Sequence, residues 1–356
     1  MKVLIVAGNW DTNGGRKSGL IEKMYNAMAE YAKDWEIDYF NGGNYSDLEK
    51  IIQTAKEYNN IFWFANVPND LPKVRNIKAV NPIATVIGSK RNNNEYTFVE
   101  VLNKSLEQRN NLTIEFSKTE DNPNIKMLLF DPLGAAWYDG YDINELVVQM
   151  VNRIKFINTT RRDRTHPFGL EDTIPNEEDF FEYVREVANI FHKTIEHADG
   201  VTRFLGNASF RKDNKHVYVS QRDVDKAFIS RETFVKTFLS EETNILYYYG
   251  DKKPSKDAIV QANFYKEFPN INYIVHSHCY VKDAPFTKTP VPCGALDEID
   301  EVNAVIRTAF NNDFTKNYYA VNLYGHGCLV FGNSLDDMRK TEYVTRHLPE
   351  NLDKQL

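Results

Sequence analysis

Residues 1–157 alternate short apolar runs with amphipathic stretches, and this alternation constrains the fold more tightly than any other feature of the chain. The strand-like runs are Lys2–Ala7, Glu36–Phe40, Ile61–Ala65, Ile83–Ile87, Leu112–Phe116 and Lys126–Phe130. Between them lie Leu20–Tyr31, Leu48–Tyr58, Phe98–Leu106 and Ile143–Phe156, each apolar on one helical face. A strand that is apolar on both sides must be covered on both sides. Strands of this kind separated by helices predict a parallel sheet with helices against each face.

The expected architecture for residues 1–157 is therefore a doubly wound, broadly Rossmann-like or flavodoxin-like α/β domain. In such sheets ligands sit beyond the carboxyl ends of the strands. Here those ends are polar, and Asn9, Asp11, Gly14, Gly15, Asn66, Asp70, Ser89, Lys90, Arg91 and Asp131 would share one crevice. Neither a Walker A loop nor a GxGxxG fingerprint is present, so no cofactor is assigned to this half and its role stays open between ligand binding and assembly.

The grammar then changes. Residues 158–178, NTTRRDRTHPFGLEDTIPNEE, are polar, charged and without periodicity, and read as a linker. An amphipathic helix, Asp179–His197, opens the second half. The short strands VYVS, NILYYY, INYIVHSH, YYAVNLY and CLVFG follow, with helical patterns at Ala258–Phe268 and Glu298–Phe310. Residues 179–356 are thus expected to form a second α/β domain around a mixed or antiparallel sheet. Two domains agree with a length of 356 residues.

The formal charge of −7 excludes the broad basic face that nucleic-acid binding requires. The opening MKVLIVAGNWDTNGG has too short an apolar run for a signal peptide, and no stretch is apolar enough to span a bilayer. Three cysteines, Cys279, Cys293 and Cys328, show no CxxC spacing and fit reduced thiols, so a cytoplasmic protein without nucleic-acid or membrane partners is expected.

The second half carries the chemistry. His276 and His278 end the run INYIVHSH, and residues two apart on a strand share a face, so both imidazoles reach one ion. His326 stands between two strand-like runs in NLYGHGCLVFG, where Gly325 and Gly327 permit a tight turn. Three neutral imidazoles suit Zn²⁺ or another divalent transition metal and leave a coordination position open. Each motif alone has a plainer reading, a core or surface histidine. Asp257 follows Pro254 and the N-cap candidate Ser255, so its carboxylate either serves a helix dipole or stands by the metal as ligand or proton-transfer group. GNAS, with Asn207 and Ser209, is either a plain turn or a grip on a phosphate or carboxylate.

Taken in order, GNAS, PSKD, HSH and GHG resemble the class II aldolase/adducin head domain, as do ANFYKEFPNINYIVHSH and VNLYGHGCLVFG, over about residues 180–340. The resemblance implies that His276, His278 and His326 bind Zn²⁺, that Asp257 takes the acidic position, and that Asn207 and Ser255 face the anionic end of the substrate. It implies a metal-dependent lyase, one that cleaves a small, polyhydroxylated, sugar-phosphate-like molecule by retro-aldol chemistry through a metal-stabilised enediolate. A sugar-phosphate epimerase or dehydratase is the alternative on the same scaffold. An adducin-like assembly module, which lacks the metal histidines, is the non-enzymatic one. Family members are commonly tetramers, which implies a homo-oligomer.

Three departures from the family pattern matter. Asp257 stands where the aldolases usually have Glu and the epimerase has Asp, so its shorter side chain is expected farther from the ion. The usual small-residue phosphate loop is replaced by Ser220, Gln221, Arg222 and Asp223. Arg222 there either clamps an anion or pairs with Asp223 or Asp225. Lys256 replaces a usual serine and either adds charge for an anion or is a solvated lysine at a helix start.

Overall fold

The computed structural model describes residues 1–68, 77–81, 83–93, 95–119, 122–132, 136–160, 165–170, 173–192, 206–222, 224–289, 291 and 294–344. The chain divides into two compact units; among the described residues the first is Met1–Asn158 and the second runs from Thr159 to Val344.

The first unit runs β1 (Lys2–Asp11), α1 (Gly19–Tyr31), β2 (Glu36–Asn44), α2 (Tyr45–Thr54), β3 (Asn60–Asn66), α3 (Ile77–Val80), β4 (Thr85–Asn92), α4 (Phe98–Glu107), β5 (Leu112–Thr119), β6 (Asn122–Phe130), β7 (Ala136–Gly140) and α5 (Ile143–Thr160). Its sheet has the order β2-β1-β3-β4-β5-β6-β7. The first five of these strands are parallel. Strand β1 shows why the sequence reads as continuously apolar: Val3, Ile5 and Ala7 pack with α1 and α5, while Leu4 and Val6 pack with α2.

The parallel expectation fails at the edge, where β6 and β7 are antiparallel. Only two residues separate β5 from β6, and a parallel crossover needs a dozen or more. Strand β7 is not legible in the sequence, and β4 begins at Thr85 with Ile83 left 91% exposed. The reversal of direction between β1 and β3 is a topological switch point, and Asn66 Nδ2 donates to Asn9 Oδ1 across it at 3.1 Å. Of the other crevice candidates, Asp131 is buried 4.0 Å from Arg153, and Asp70 lies outside the described residues.

The second unit contains β8 (Thr165–Gly169), α6 (Glu178–His192), β9 (Asn207–Arg211), β10 (His216–Ser220), β11 (Phe234–Leu239), β12 (Leu246–Tyr249), α7 (Ala258–Glu267), β13 (Tyr273–Ser277), β14 (Tyr280–Val281), α8 (Asp297–Ala309), β15 (Tyr318–Leu323), β16 (Gly327–Gly332), α9 (Leu335–Met338) and β17 (Tyr343–Val344). An eight-stranded mixed sheet follows the order β15-β16-β13-β9-β10-β11-β12-β8, antiparallel except for the β12–β8 pair. Helices α7 and α8 cover one face, and α6 covers the other. Strands β14 and β17 form a separate pair.

Two segments differ from their sequence reading. Residues 165–169, inside the stretch read as a linker, are the edge strand β8, whose Phe168 ring packs edge-on against Phe238 and Tyr249. GNAS is the start of a central strand as well as a turn: its Ala208 and Phe210 are fully buried under α6. The amphipathic helix is described over Glu178–His192, and the remainder of Asp179–His197 lies outside the described residues.

Candidate metal centre

Strand β13 holds His276 at the heart of the sheet, between β9 and β16, opposite Asn207 on one side and Leu329 on the other. His278 follows directly after the strand. The β15–β16 hairpin supplies the third: Gly325 takes φ +62° and the His326 N–H donates to the Leu323 carbonyl at 3.0 Å, which folds His326 back over the sheet. The three side chains are buried, and one ligand atom from each lies within 4.8 Å of the others. Before β9 the chain passes so close that a Cβ at Gly206 would sit 1.8 Å from the His276 carbonyl oxygen, and Gly206 has φ +60°.

The donor set fits a divalent transition ion. His276 Nδ1 lies 3.0 Å from the Cys328 carbonyl oxygen, which makes Nδ1 the protonated nitrogen and leaves Nε2 as a lone-pair donor. That Nε2 is buried with no hydrogen-bond partner among the described residues. Burial pushes the His276 pKa down, against the opposing pull of Asp257, so the ring is held neutral and able to ligate.

Asp257 directly precedes α7 and is buried. Its carboxylate makes no helix-cap bond and turns instead to the sheet. Asn207 Nδ2 donates to Asp257 Oδ2 at 2.5 Å, and Gln261 Nε2 in turn donates to Asn207 Oδ1. A carboxylate only accepts, so the orientation of both amides follows from it. Asp257 Oδ1 is left buried without a hydrogen-bond partner among the described residues, and Asp257 is not one of the three-histidine cluster.

A second carboxylate is present that the sequence reading did not single out. Glu298, in the first turn of α8, is buried with Oε2 3.9 Å from His326 Nδ1. Burial, reinforced by the negative charge of Asp257, pushes its pKa well above the usual carboxylate range. Gln261 was equally hidden in the apolar helix text VQANFY; its only signal is its i+4 spacing from Asp257.

The residues expected to bind an anion divide into two groups. Asn207 spends its side chain on Asp257 and Gln261, and the Ser209 hydroxyl lies 3.0 Å from that of Tyr265 inside the core. The loops that carry Arg222 and Ser255 are brought together at the backbone, with Lys256 next to Ser255 in the second. The Ser255 N–H donates to the Ser220 carbonyl and the Arg222 N–H to the Lys253 carbonyl, both at 2.9 Å, with a bridge between Gln221 and Pro254. Lys226 pins the first of these loops, donating to the carbonyls of Gln221 and Val224. Asp223 and Cys293 lie outside the described residues. Cys279 and Cys328 are free and buried, and burial followed by the neighbouring Cys279 pushes the Cys328 thiol far up, which leaves it a poor nucleophile. No helix among the described residues is long and apolar enough to cross a membrane.

Part of the chain is similar to known proteins. The model of the Class II Aldolase and Adducin N-terminal domain matches residues 185–348, a span that includes Asp257, the three histidines and Glu298. Among solved structures, the DNA/pantothenate metabolism flavoprotein from Streptococcus pneumoniae is similar at 13% identity and TM-score 0.34, covering 44% of this chain and 98% of that one. An L-fuculose 1-phosphate aldolase is similar at 15% identity and TM-score 0.33, covering 47% and 82%. L-fuculose-1-phosphate aldolase from Thermus thermophilus is similar at 16% identity and TM-score 0.29, covering 44% and 81%. No curated protein matches the chain. Residues 185–348, somewhat less than half of the chain, thus match the class II aldolase and adducin N-terminal domain family.

Proposed function

We propose that the second unit is a divalent-metal lyase, with Zn²⁺ the expected ion, that cleaves a carbon–carbon bond in a small, polyhydroxylated, anionic substrate by a retro-aldol reaction. The observation that carries this reading is the convergence of three buried histidines on one point, with a buried carboxylate wired beside them. His276, His278 and His326 would hold the ion. When bound, it would supply Lewis acidity toward a carbonyl and an adjacent hydroxyl oxygen.

The residues of the chain supply the rest. Asn207 occupies Asp257 Oδ2, which leaves Oδ1 as the atom that accepts or returns the proton of the reacting hydroxyl. Burial around the cluster excludes water and strengthens each electrostatic contact there. Arg222, Ser255 and Lys256, on loops zipped to one another, would take the anionic end, with Arg222 replacing the backbone cradle of a small-residue loop.

An epimerase on the same scaffold is the second reading. It is favoured by Asp257, whose short side chain is held by Asn207 and stays outside the histidine cluster.

The experiment is to incubate zinc-loaded protein with a panel of ketose 1-phosphates and sugar acids and follow carbon by NMR. Cleavage gives an aldehyde and a ketone fragment. Epimerisation keeps the carbon count and inverts one centre. Zinc-loaded protein that transforms no member of the panel speaks against both readings.

A further inference from the structure

Glu298 is one of three acids in the first turn of α8, with Asp297 and Asp300. All three suit the helix dipole, which needs no burial. Asp297 and Asp300 are indeed exposed, whereas Glu298 is 4% exposed. Burying a carboxylate is costly unless a partner offsets the loss of water. Among the described residues the basic side chain within 4.0 Å of the Glu298 carboxylate is His326, with Oε2 3.9 Å from Nδ1. Glu298 itself lies outside the three-histidine cluster.

The arrangement repeats one already present at the site. His276 has an acceptor behind Nδ1, the Cys328 carbonyl, and this turns Nε2 inward. Glu298 Oε2 stands on the Nδ1 side of His326 at 3.9 Å, longer than a hydrogen bond, so the two would have to close up to complete the same arrangement. We propose that Glu298 is a positioning residue that holds His326 from behind. It would accept the Nδ1 proton, select the tautomer whose Nε2 ligates, and strengthen that nitrogen as a donor. The inference rests on the metal reading above. In the site so described, one carboxylate, Asp257, faces the substrate, and the other serves a metal ligand.

The test is zinc affinity, measured by competition with a chromophoric chelator on the full-length chain, for wild type, Glu298→Gln, Glu298→Asp and Asp300→Asn. Glutamine keeps the size of Glu298 and is neutral, so the zinc-free variant folds, as thermal unfolding would show. Expected is a loss of affinity of about 10–100-fold for Glu298→Gln, as is typical for carboxylates behind metal-bound histidines. Glu298→Asp should restore part of it, and Asp300→Asn, on the same turn, should change nothing. The cobalt-substituted protein should show altered visible bands for Glu298→Gln alone. Wild-type affinity in a folded Glu298→Gln protein overturns the role of Glu298 while the metal reading stands. Absence of zinc binding by wild type overturns both.

Discussion

Asn207 and Gln261 offer a sharp test because they sit in one hydrogen-bonded chain but should respond oppositely to truncation. Asn207→Ala removes the donor to Asp257 Oδ2 and the acceptor of Gln261 Nε2 together. Losing a hydrogen bond to a charged group costs about 1.5–3 kcal/mol, and leaving a buried amide donor unsatisfied about 1–3 more, so a loss of about 2.5–6 kcal/mol is expected. Gln261→Met removes one hydrogen bond and strands Asn207 Oδ1, but it also removes Gln261 Oε1, which is buried without a hydrogen-bond partner. These effects oppose each other, and the net change should stay within about 1.5 kcal/mol. Urea unfolding with two probes reads both. Trp10, Trp35, Trp63 and Trp137 all lie in the first unit, so tryptophan fluorescence serves as an internal control that neither variant moves. Tyrosine circular dichroism reports both units, and the transition that the tryptophans do not share is that of the second. Equal destabilisation by the two variants, or a milder effect of Asn207→Ala, would refute the wiring that places Asp257.

Other consequences are as concrete. Gly206→Ala places a Cβ against the His276 carbonyl at positive φ, so the second unit should lose about 3 kcal/mol or more in the same unfolding assay. In zinc-free protein Glu298 has a raised pKa, so the stability of its protonated form is complete below its ordinary 4.5 and declines as pH rises through the raised value. Thermal unfolding in chelator should therefore show Glu298→Gln gaining on wild type from pH 4.5 towards neutrality. Asp257→Asn should cut turnover much more than substrate binding, which single-turnover and equilibrium measurements on a substrate found in the panel separate.

Much of the fold was legible because it follows from burial. Val3, Ile5 and Ala7 face one helical layer and Leu4 and Val6 the other, and such a strand cannot hide its apolar run. The β6–β7 edge was not, since the direction of a strand depends on the length of its connection and not on its own residues. Strand β8 escaped notice in a charged, proline-containing stretch because an edge strand needs little apolar text. At the site, His276 and His278 announce themselves by period-two spacing, and His326 by its glycines. Glu298 and Gln261 do not: a glutamate in a first helical turn and a glutamine in a helix are ordinary, and only tertiary packing turns them inward. Asn207 was visible, but its partner was not, so the amide that looked available for an anion is committed to Asp257.

The central claim is that His276, His278 and His326 form a divalent-metal site. Elemental analysis after zinc loading and gel filtration tests it most directly. About one zinc per chain is expected for wild type, and none for a folded His276→Ala protein. Wild-type protein that emerges folded and free of zinc, or a His276→Ala variant that keeps the ion, would contradict the account.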